Sequence, residues 1–194
     1  MSRFAETGSF PTLIPVNRFY TGIGSSQVPS DIAALFLLIA QHLAAQGMIL
    51  RTGPSKGTDA AFAAGACEQR QVFLPHSGAG GYKDGSVVID PNIIKRATAI
   101  AVTVHPNWKT YNDFQRKAHT RAVYLVLGSD LISPSAYVLC YTPINNRGQV
   151  EGATRTVLAL ANERRIPVYN LAEFEIRSRF RKRLEELALP GGHT

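Results

Sequence analysis

The chain has 194 residues, of which 45% are hydrophobic and 18% are charged, and its 21 Lys and Arg side chains outnumber 14 Asp and Glu for a net charge of +7. This composition can bury a core, which excludes disorder over most of the length and predicts one compact domain. Cys67 and Cys140 form no C-x-x-C motif and lack zinc-ligand spacing with histidine, which argues against a metal module and a disulfide-rich secreted scaffold. We therefore expect no metal site, and a reducing, cytoplasmic location.

The most apolar segment of the chain is a charge-free run over residues 32–50, long enough to cross a bilayer. Three polar side chains and Gly47 interrupt it, so we interpret it as a buried helix followed by a buried strand. The first six residues mix charged and small polar side chains without the apolar region of a secretory signal. The sequence therefore predicts no membrane partner.

The hydrophobic pattern alternates between helices and short apolar strands. A strand over 18–23 precedes a helix over 31–46, for which Ser30 is the expected N-cap and Gly47 the expected left-handed end. The further predicted elements are a strand over 48–52, a helix over 58–69, a strand over 71–74, a glycine-rich loop over 77–85, helices over 91–104 and 114–127, a strand over 136–141, a helix over 152–163 and a strand over 166–170. Such alternation predicts an α/β fold, a Rossmann-like parallel sheet of about five or more strands with helices on both faces.

We expect a single domain over the whole chain, with an N-terminal extension over 1–17 and an extra helix and tail over 172–194. The C-terminal helix has Phe180 and Leu184 on one face, and acidic residues balance its arginines, which favours a solvated face over a nucleic-acid contact. The excess positive charge lies between positions 95 and 121. The basic residues there are Lys95, Arg96, Lys109, Arg116, Lys117 and Arg121, and the one acidic residue is Asp113.

Three glycine-containing turns follow predicted strands, at residues 22–26, 53–59 and 148–154. In a parallel sheet they meet at the carboxyl edge, where helix N-termini offer N–H groups to an anion and glycine lets a phosphate approach closely. Any one of these turns could have glycine only because glycine commonly ends strands, but three such turns at one edge predict a phosphate site. Its candidate residues are Gly22, Gly24, Ser25, Gly53, Lys56, Gly57, Asp59, Gly152 and Thr154.

Neither of the first two turns matches a common nucleotide-binding motif. No glycine follows Gly24 before the helix, so the first turn is not G-x-G-x-x-G, and Lys56 precedes Gly57, so the second is not a P-loop. We therefore expect no resident cofactor of the NAD or ATP type, and another phosphate-bearing ligand.

Eight segments carry a family resemblance. In chain order they are 20–25 (YTGIGS), 50–53 (LRTG), 57–62 (GTDAAF), 105–108 (HPNW), 119–121 (HTR), 126–128 (VLG), 152–154 (GAT) and 166–171 (IPVYNL). Their order resembles the DprA/LOG-like (SLOG) Rossmann-type superfamily, most closely the small DprA-like proteins encoded by bacteriophages. The resemblance covers about residues 19–171 and implies the Rossmann-like fold. The superfamily contains single-stranded-DNA binders, nucleoside-monophosphate phosphoribohydrolases and nucleotide-signal sensors.

Departures from the family pattern bear on the activity. LOG-type phosphoribohydrolases resemble P-G-G-x-G-T-x-x-E, whose glutamate assists cleavage of the N-glycosidic bond, whereas Arg155, Thr156 and Val157 follow Thr154 here. Without that glutamate we expect binding without turnover and no catalytic residue. Arg121 lies at the family's arginine position, and the resemblance implies a phosphate contact, which a guanidinium can grip with two hydrogen bonds.

Several candidates have alternative roles. Asp59 could cap the helix after Gly57, and Lys56 could lie in solvent. His105 and Trp108 are expected to pack at a helix end, although the ring of Trp108 could equally stack on a base.

Three functions remain open from the sequence. The first is non-catalytic binding of a nucleotide or nucleotide-derived signalling ligand at the carboxyl edge, which would sequester it for a phage. The alternatives are DprA-like single-stranded-DNA binding, supported by the basic segment, and LOG-like hydrolysis, weakened by the missing glutamate. Family members typically self-associate, so we expect a homodimer or higher oligomer. Valine at Gly24 or Gly53 is expected to abolish ligand binding and leave the fold largely intact.

Overall fold

A computed structural model describes residues 18–105, 108–143, 150 and 152–188. Its strands are β1 (Phe19–Gly24), β2 (Ile49–Thr52), β3 (Arg70–Val72), β4 (Val138–Tyr141) and β5 (Val168–Asn170). Its α-helices are α1 (Ser30–Ala45), α2 (Thr58–Ala66), α3 (Pro91–Val104), α4 (Asp113–Leu127), α5 (Gly152–Glu163) and α6 (Phe174–Ala188). Within these residues the strands form one parallel sheet in the order β3-β2-β1-β4-β5. The predicted Rossmann-like α/β fold and its extra C-terminal helix are confirmed.

Two hydrophobic cores lie on opposite faces of the sheet. Helices α1, α2 and α6 cover one face, onto which Tyr20 and Leu139 project, and α3, α4 and α5 cover the other, which receives Ile23 and Cys140. Successive strand residues alternate between faces, and both faces are covered, so the strands are apolar on both sides.

The boundaries of α1 and α2 differ from the prediction in two places. Ser30 is the first residue of α1 rather than its N-cap; Pro29 holds that position, without a side-chain cap. Gly47 has the expected left-handed conformation, with φ at 77°. Helix α2 ends at Ala66, three residues early, because Cys67 turns the backbone to φ 49°.

Helices α3 and α4 begin with capping interactions. The Asp90 side chain accepts hydrogen bonds from the N–H groups of Asn92 and Ile93, which starts α3 despite its β-branched residues. Asn112 and Gln115 form a reciprocal capping box, so α4 begins at Asp113, one residue before the predicted start. The described helices include none long and apolar enough to cross a membrane.

The predicted C-terminal helix packs on the α1 side of the sheet. Phe180 is buried against Tyr169 of β5, with ring centroids 5.8 Å apart. Arg181 and Asp31 form an ion pair at 2.6 Å that links α6 to α1. The predicted extension over 1–17 and the end of the tail, 189–194, lie outside the described residues.

Candidate functional site

The strand order reverses between β1 and β4. From β1 the chain moves outward to β2 and β3, and it then returns to β4 on the other side of β1. The crevice beyond the carboxyl ends of the strands at such a point is where open α/β sheets bind ligands. Here the Ser25 N–H donates to the Tyr141 carbonyl at 2.8 Å, which ties the β1 turn to the end of β4.

The turns after β1 and β2 interlock. Thr58 donates from its N–H and its hydroxyl to the Ser25 carbonyl, at 3.1 and 2.9 Å. Gly57 has φ at 75°, and a Cβ there would lie 2.5 Å from the Ser26 carbonyl oxygen. Glycine at this position therefore serves both the left-handed turn and the contact between the two loops. Lys56, in the same turn, is exposed.

Asp59 and Arg121 lie buried at the end of β2 and come from opposite helical layers. Asp59, in the first turn of α2, is 1% exposed, and Arg121, in α4, is 5% exposed. Gly53 leaves room for both, because a Cβ there would collide with Arg121 Nη1 and lie 2.7 Å from Asp59 Oδ2. Asp59 Oδ1 accepts a hydrogen bond from the Gly24 N–H at 3.2 Å, so Asp59 does not cap α2, whose N-cap Gly57 has no side-chain bond. The structure thus brings Gly24, Gly53, Asp59 and Arg121 together.

Three polar atoms of this pair stay unsatisfied. Oδ2 of Asp59 and both Nε and Nη1 of Arg121 have no hydrogen-bond partner within the described ranges. Buried polar groups are nearly always paired in native proteins, because an unpaired one costs free energy. The pair therefore leaves two donor nitrogens and one acceptor oxygen without partners.

The charges of the pair depend on burial. Burial raises the pKa of Asp59 to about 6, against the lowering effects of the Arg121 charge, the Gly24 amide and Ser55. Burial lowers the pKa of Arg121, and the Asp59 charge opposes this. A guanidinium keeps its proton at neutral pH. The site therefore holds a cation beside a carboxyl group that titrates just below neutrality.

Gly22 and Ser25 have local partners. A Cβ at Gly22 would lie 2.7 Å from Phe62 and 2.8 Å from Leu50, so this glycine permits helix–strand packing. Ser25 Oγ accepts a hydrogen bond from the Gln27 N–H at 3.0 Å, which stabilises the turn and leaves the hydroxyl hydrogen available to a ligand.

The third predicted turn is described in part. Positions 148, 149 and 151 lie outside the described residues. Gly152 is exposed with φ at 65°, and Thr154 is buried in the first turn of α5. Both residues therefore lie at the N-terminus of α5, where helix N–H groups favour an anion.

A cluster of rings lies near α5, and the sequence predicts only that one member, His105, packs at a helix end. His105 and His119 are 1% and 5% exposed, and their ring centroids are 4.5 Å apart. Tyr111 Oη lies 3.0 Å from His105 Nε2, and Thr156 Oγ1 lies 2.7 Å from His119 Nδ1. No spacing in the sequence signals this cluster, because its members come from the C-cap of α3, the segment before α4, and helices α4 and α5. Trp108 is half-buried and packs against the hydrophobic core under α3, α4 and α5, as expected for a packing role.

The basic segment divides into two parts. Arg121 is buried in the site, whereas the lysines and Arg96 are exposed, at positions Lys95, Arg96, Lys109 and Lys117. Arg116 pairs with Asp113 at 3.7 Å. The exposed residues can contact a polyanion on the surface, and Arg121 can contact only a group that enters the site.

Comparison with known proteins shows a DprA-like fold. The structure is similar to that of DNA processing protein A from Helicobacter pylori, with a TM-score of 0.52 and 16% sequence identity over 87% of this chain and 80% of that chain. That protein is described as having a unique single-stranded-DNA binding mode. No protein-family model matches the sequence, and neither does any curated protein. The similarity therefore shows the fold that the chain shares with a DNA-binding protein.

Proposed function

We propose that this chain binds the phosphate group of a nucleotide at the carboxyl edge of its sheet, without turnover. The observation that carries the proposal is the buried guanidinium of Arg121, with two unpartnered nitrogens, at the strand-order reversal. A guanidinium is the side chain best suited to bind a phosphate, because it can donate two parallel hydrogen bonds. Its attraction for a single bound phosphate is strongest when the guanidinium is held away from solvent.

The neighbouring groups favour a nucleotide over a simple anion. Asp59 Oδ2 is an unpartnered acceptor beside Arg121, so it suits a ligand that carries both an anion and a hydroxyl or amino donor. A ribose or a base supplies that donor, and inorganic phosphate at neutral pH supplies it less well. The exposed Lys56 and the Ser25 hydroxyl are further phosphate contacts in this proposal.

Turnover is not part of the proposal. The position that holds the glutamate of LOG-type hydrolases is occupied by Val157, which is fully buried in the hydrophobic core. We therefore expect that chromatography detects no free base after incubation of the protein with nucleoside 5′-monophosphates. Release of base at a rate that falls on substitution of Asp59 would show that the protein is a hydrolase.

Calorimetry with a panel of nucleoside 5′-monophosphates tests the binding proposal. Arg121→Ala is expected to weaken binding by about 1.5 to 3 kcal/mol, the value of a charged hydrogen-bonding group. Arg121→Lys keeps the positive charge but loses the two parallel hydrogen bonds of the guanidinium, so it should recover part of the lost affinity. Lys109→Ala removes an exposed basic residue and should leave the affinity unchanged. Circular dichroism checks that each variant is folded. Equal affinities in the wild type and the folded Arg121→Ala variant would refute the proposal.

Mass spectrometry of small molecules released by heat from the purified protein identifies a naturally retained ligand. We expect a phosphate-bearing nucleotide in the released fraction. The Arg121→Ala variant should release less of it than the Lys109→Ala variant. A nucleotide-derived signal in a phage-infected cell would fit the phage-type resemblance of the sequence.

Single-stranded-DNA binding is the second candidate, favoured by the fold shared with Helicobacter pylori DNA processing protein A and by the exposed Lys95, Arg96, Lys109 and Lys117. If single-stranded DNA binds to this surface, affinity for an oligonucleotide should fall by roughly 0.7 log units per log unit of salt for each phosphate neutralised. Lys117→Ala should then reduce the slope. A steep slope and affinity that rises with oligonucleotide length would favour this candidate, and a shallow slope favours the compact ligand.

A further inference from the structure

Asp59 and Arg121 approach each other without bonding directly. A Cβ at Gly53 would collide with Arg121 Nη1 and lie 2.7 Å from Asp59 Oδ2, so both atoms border the same small space beside the Gly53 Cα. Neither atom has a hydrogen-bond partner, and the two side chains form no ion pair among the described residues. The structure therefore leaves a gap between a buried donor and a buried acceptor.

The width of this gap suits one oxygen atom. The contacts at Gly53 place Nη1 and Oδ2 less than two hydrogen-bond lengths apart, and the lack of a direct bond places them more than one length apart. An oxygen that makes two hydrogen bonds of about 2.8 Å at a tetrahedral angle separates its partners by roughly 4.6 Å. A single oxygen therefore spans the gap and bonds to both side chains.

The two sides of the gap specify a hydroxyl group. Arg121 Nη1 can only donate and an ionised Asp59 can only accept, so the atom between them has to accept one hydrogen bond and donate another. A hydroxyl oxygen does both. A carbonyl oxygen or a fully ionised phosphate oxygen does not donate, and an amino group bonded to a ring does not accept in this way.

The gap adjoins the surface of the carboxyl edge. Gly24 and Pro54, which neighbour Asp59 and Gly53, are both partly exposed. The Gly24 N–H already occupies Asp59 Oδ1, at 3.2 Å, so Oδ2 is the oxygen left for a ligand. The unpartnered Nε of Arg121 lies on the other edge of the planar guanidinium from Nη1, so a phosphate at Nε and a hydroxyl at Nη1 do not compete for one position.

We propose that Asp59 and Arg121 together bind one hydroxyl group of the nucleotide sugar. This inference rests on the proposed function and deepens it, because it adds a second recognised group to the phosphate and makes Asp59 a specificity-determining residue. The shared chemistry is a sugar hydroxyl, which the 2′ and the 3′ positions of a ribose both supply. A 2′ contact restricts the ligand to ribonucleotides, and a 3′ contact requires a free 3′ end.

Calorimetry with adenosine 5′-monophosphate and its 2′-deoxy and 3′-deoxy analogues tests the contact. The wild type should bind the ribonucleotide about tenfold or more tightly than the analogue that lacks the bound hydroxyl, the gain expected of a hydrogen bond to a charged group. The analogue that binds more weakly identifies the position of the hydroxyl. Equal affinities for all three nucleotides would overturn the inference and assign the gap to water.

A variant of Asp59 locates that gain. Asp59→Asn keeps the shape of the side chain, and its amide oxygen stays on the Gly24 N–H, so a group that only donates replaces Oδ2 and the affinity ratio should fall to about one. Glu68→Gln, on an exposed acidic residue just after α2, is the matched control and should keep the wild-type ratio. Circular dichroism checks folding. A wild-type ratio in the folded Asp59→Asn variant overturns the hydroxyl contact, and AMP binding that depends on Arg121 would then still support the phosphate site.

Adenosine separates this inference from the proposed function, because it has both sugar hydroxyls and no phosphate. The phosphate proposal expects adenosine to bind more weakly than its monophosphate. The hydroxyl contact expects adenosine to bind more tightly than the deoxyadenosine that lacks the bound hydroxyl. If adenosine shows that preference and binds as tightly as the monophosphate, the proposed function is wrong and the hydroxyl contact stands.

The pH dependence gives a readout that a structural role of Asp59 would not change. Burial raises the pKa of Asp59 to about 6, and only the ionised carboxylate accepts from the hydroxyl, so the affinity ratio should fall as the pH is lowered from 8 to 5. The groups that face Asp59 are Arg121 of α4, Ser55 of the turn after β2 and the Gly24 N–H, and Tyr82, whose pKa burial raises, also interacts with its charge. None of these changes charge in this range, and titration of the phosphate is common to the nucleotides compared. A wild-type ratio that is independent of pH would contradict the contact.

Discussion

Asp59 and Arg121 are the residues in which stability and the proposed function are most closely connected. Each is almost fully buried, each is charged in one of its protonation states, and together they leave three polar atoms without partners in the ranges described. Burying such a pair gains little stability, because loss of hydration offsets the mutual attraction. A binding site gives a physical reason for an arrangement that folding alone does not favour.

The pH dependence of stability follows from Asp59 and His119, with opposite signs. The Asp59 pKa rises from 3.8 to about 6 on folding, so between these values the folded chain holds a proton that the unfolded chain has released, and stability falls as pH rises. The His119 pKa falls from 6.5 to about 4, so in its window the unfolded chain binds the extra proton and stability falls as pH falls.

We therefore predict opposite changes in two variants, measured as urea unfolding free energy from pH 4 to 7. Asp59→Asn should make stability rise more steeply with pH than in the wild type, and His119→Gln should make it rise less steeply or fall. Each change in slope is at most about 1.4 kcal/mol per pH unit. Titration of the other groups is common to both variants and cancels in the comparison. Profiles that run parallel to the wild type would show that these groups titrate normally.

Gly24 gives a prediction that differs from the expectation drawn from the sequence. A Cβ at this position would collide with the Tyr141 carbonyl and lie 2.9 Å from Thr58 Oγ1, and the carbonyl belongs to the backbone of β4 and cannot rotate away. Gly24→Ala should therefore lower the free energy of unfolding by about 1 to 3 kcal/mol, and valine should lower it more. Chemical denaturation measures the change. A Gly24→Ala variant as stable as the wild type would mean that β4 can move aside.

At the scale of elements, α4 connects the fold to the candidate site, because it carries Arg121. Its start depends on the reciprocal bonds of Asn112 and Gln115, at 2.9 and 3.1 Å. Asn112→Ala should cost about 0.5 to 2 kcal/mol of stability, as for other N-cap removals. Lys117→Ala, on an exposed position of the same helix, should stay within about 0.5 kcal/mol. Equal stabilities of the two variants, measured by thermal unfolding, would contradict a contribution from the cap.

The C-terminal helix α6 is held by apolar contact more than by charge. Phe180 is buried against Tyr169, while the Arg181–Asp31 pair has side chains 44% and 62% exposed. Phe180→Ala should cost about 3 kcal/mol or more, and Arg181→Ala less than about 1 kcal/mol, because water and salt screen an exposed pair. Guanidinium unfolding of both variants compares them. A larger loss from the arginine substitution would show that the ion pair fixes α6.

At the scale of the molecule, exposed apolar side chains collect around α3. They are Ile94 and Val102 on the helix, Ile89 just before it and Phe114 at the start of α4. Exposed apolar surface favours association, so we predict that these residues lie in the interface of the expected dimer. Sedimentation at micromolar concentration should show a dimer for the wild type and a monomer for Val102→Asp. Leu38→Asp, at an exposed position on the opposite layer, should remain a dimer. A wild-type monomer at every concentration would remove the prediction.

The residue pattern along the chain determined the fold class. Alternating helical and strand periodicities, with glycines at 22, 24, 53 and 57, predict parallel strands and turns at one edge, because both signals are local. Element ends were less well determined. Ser30 lies inside α1 and α2 stops at Ala66, since the competing preferences of neighbouring residues differ there by small free energies.

The tertiary structure decided which residues meet. Asp59 and Arg121 are 62 positions apart in the sequence, and His105 and His119 are separated by the segment between α3 and α4, so no local pattern signals either grouping. The order of strands and the packing of α4 bring Asp59 and Arg121 together at the end of β2, and burial then raises the pKa of Asp59 and leaves polar atoms of both side chains unpaired. The same packing shows that Gly22 permits close contact between α2 and β1. The sequence cannot distinguish this role from a phosphate contact, because the residue is glycine in both cases. Periodicity is a property of neighbouring residues, whereas a binding site is a property of distance in space.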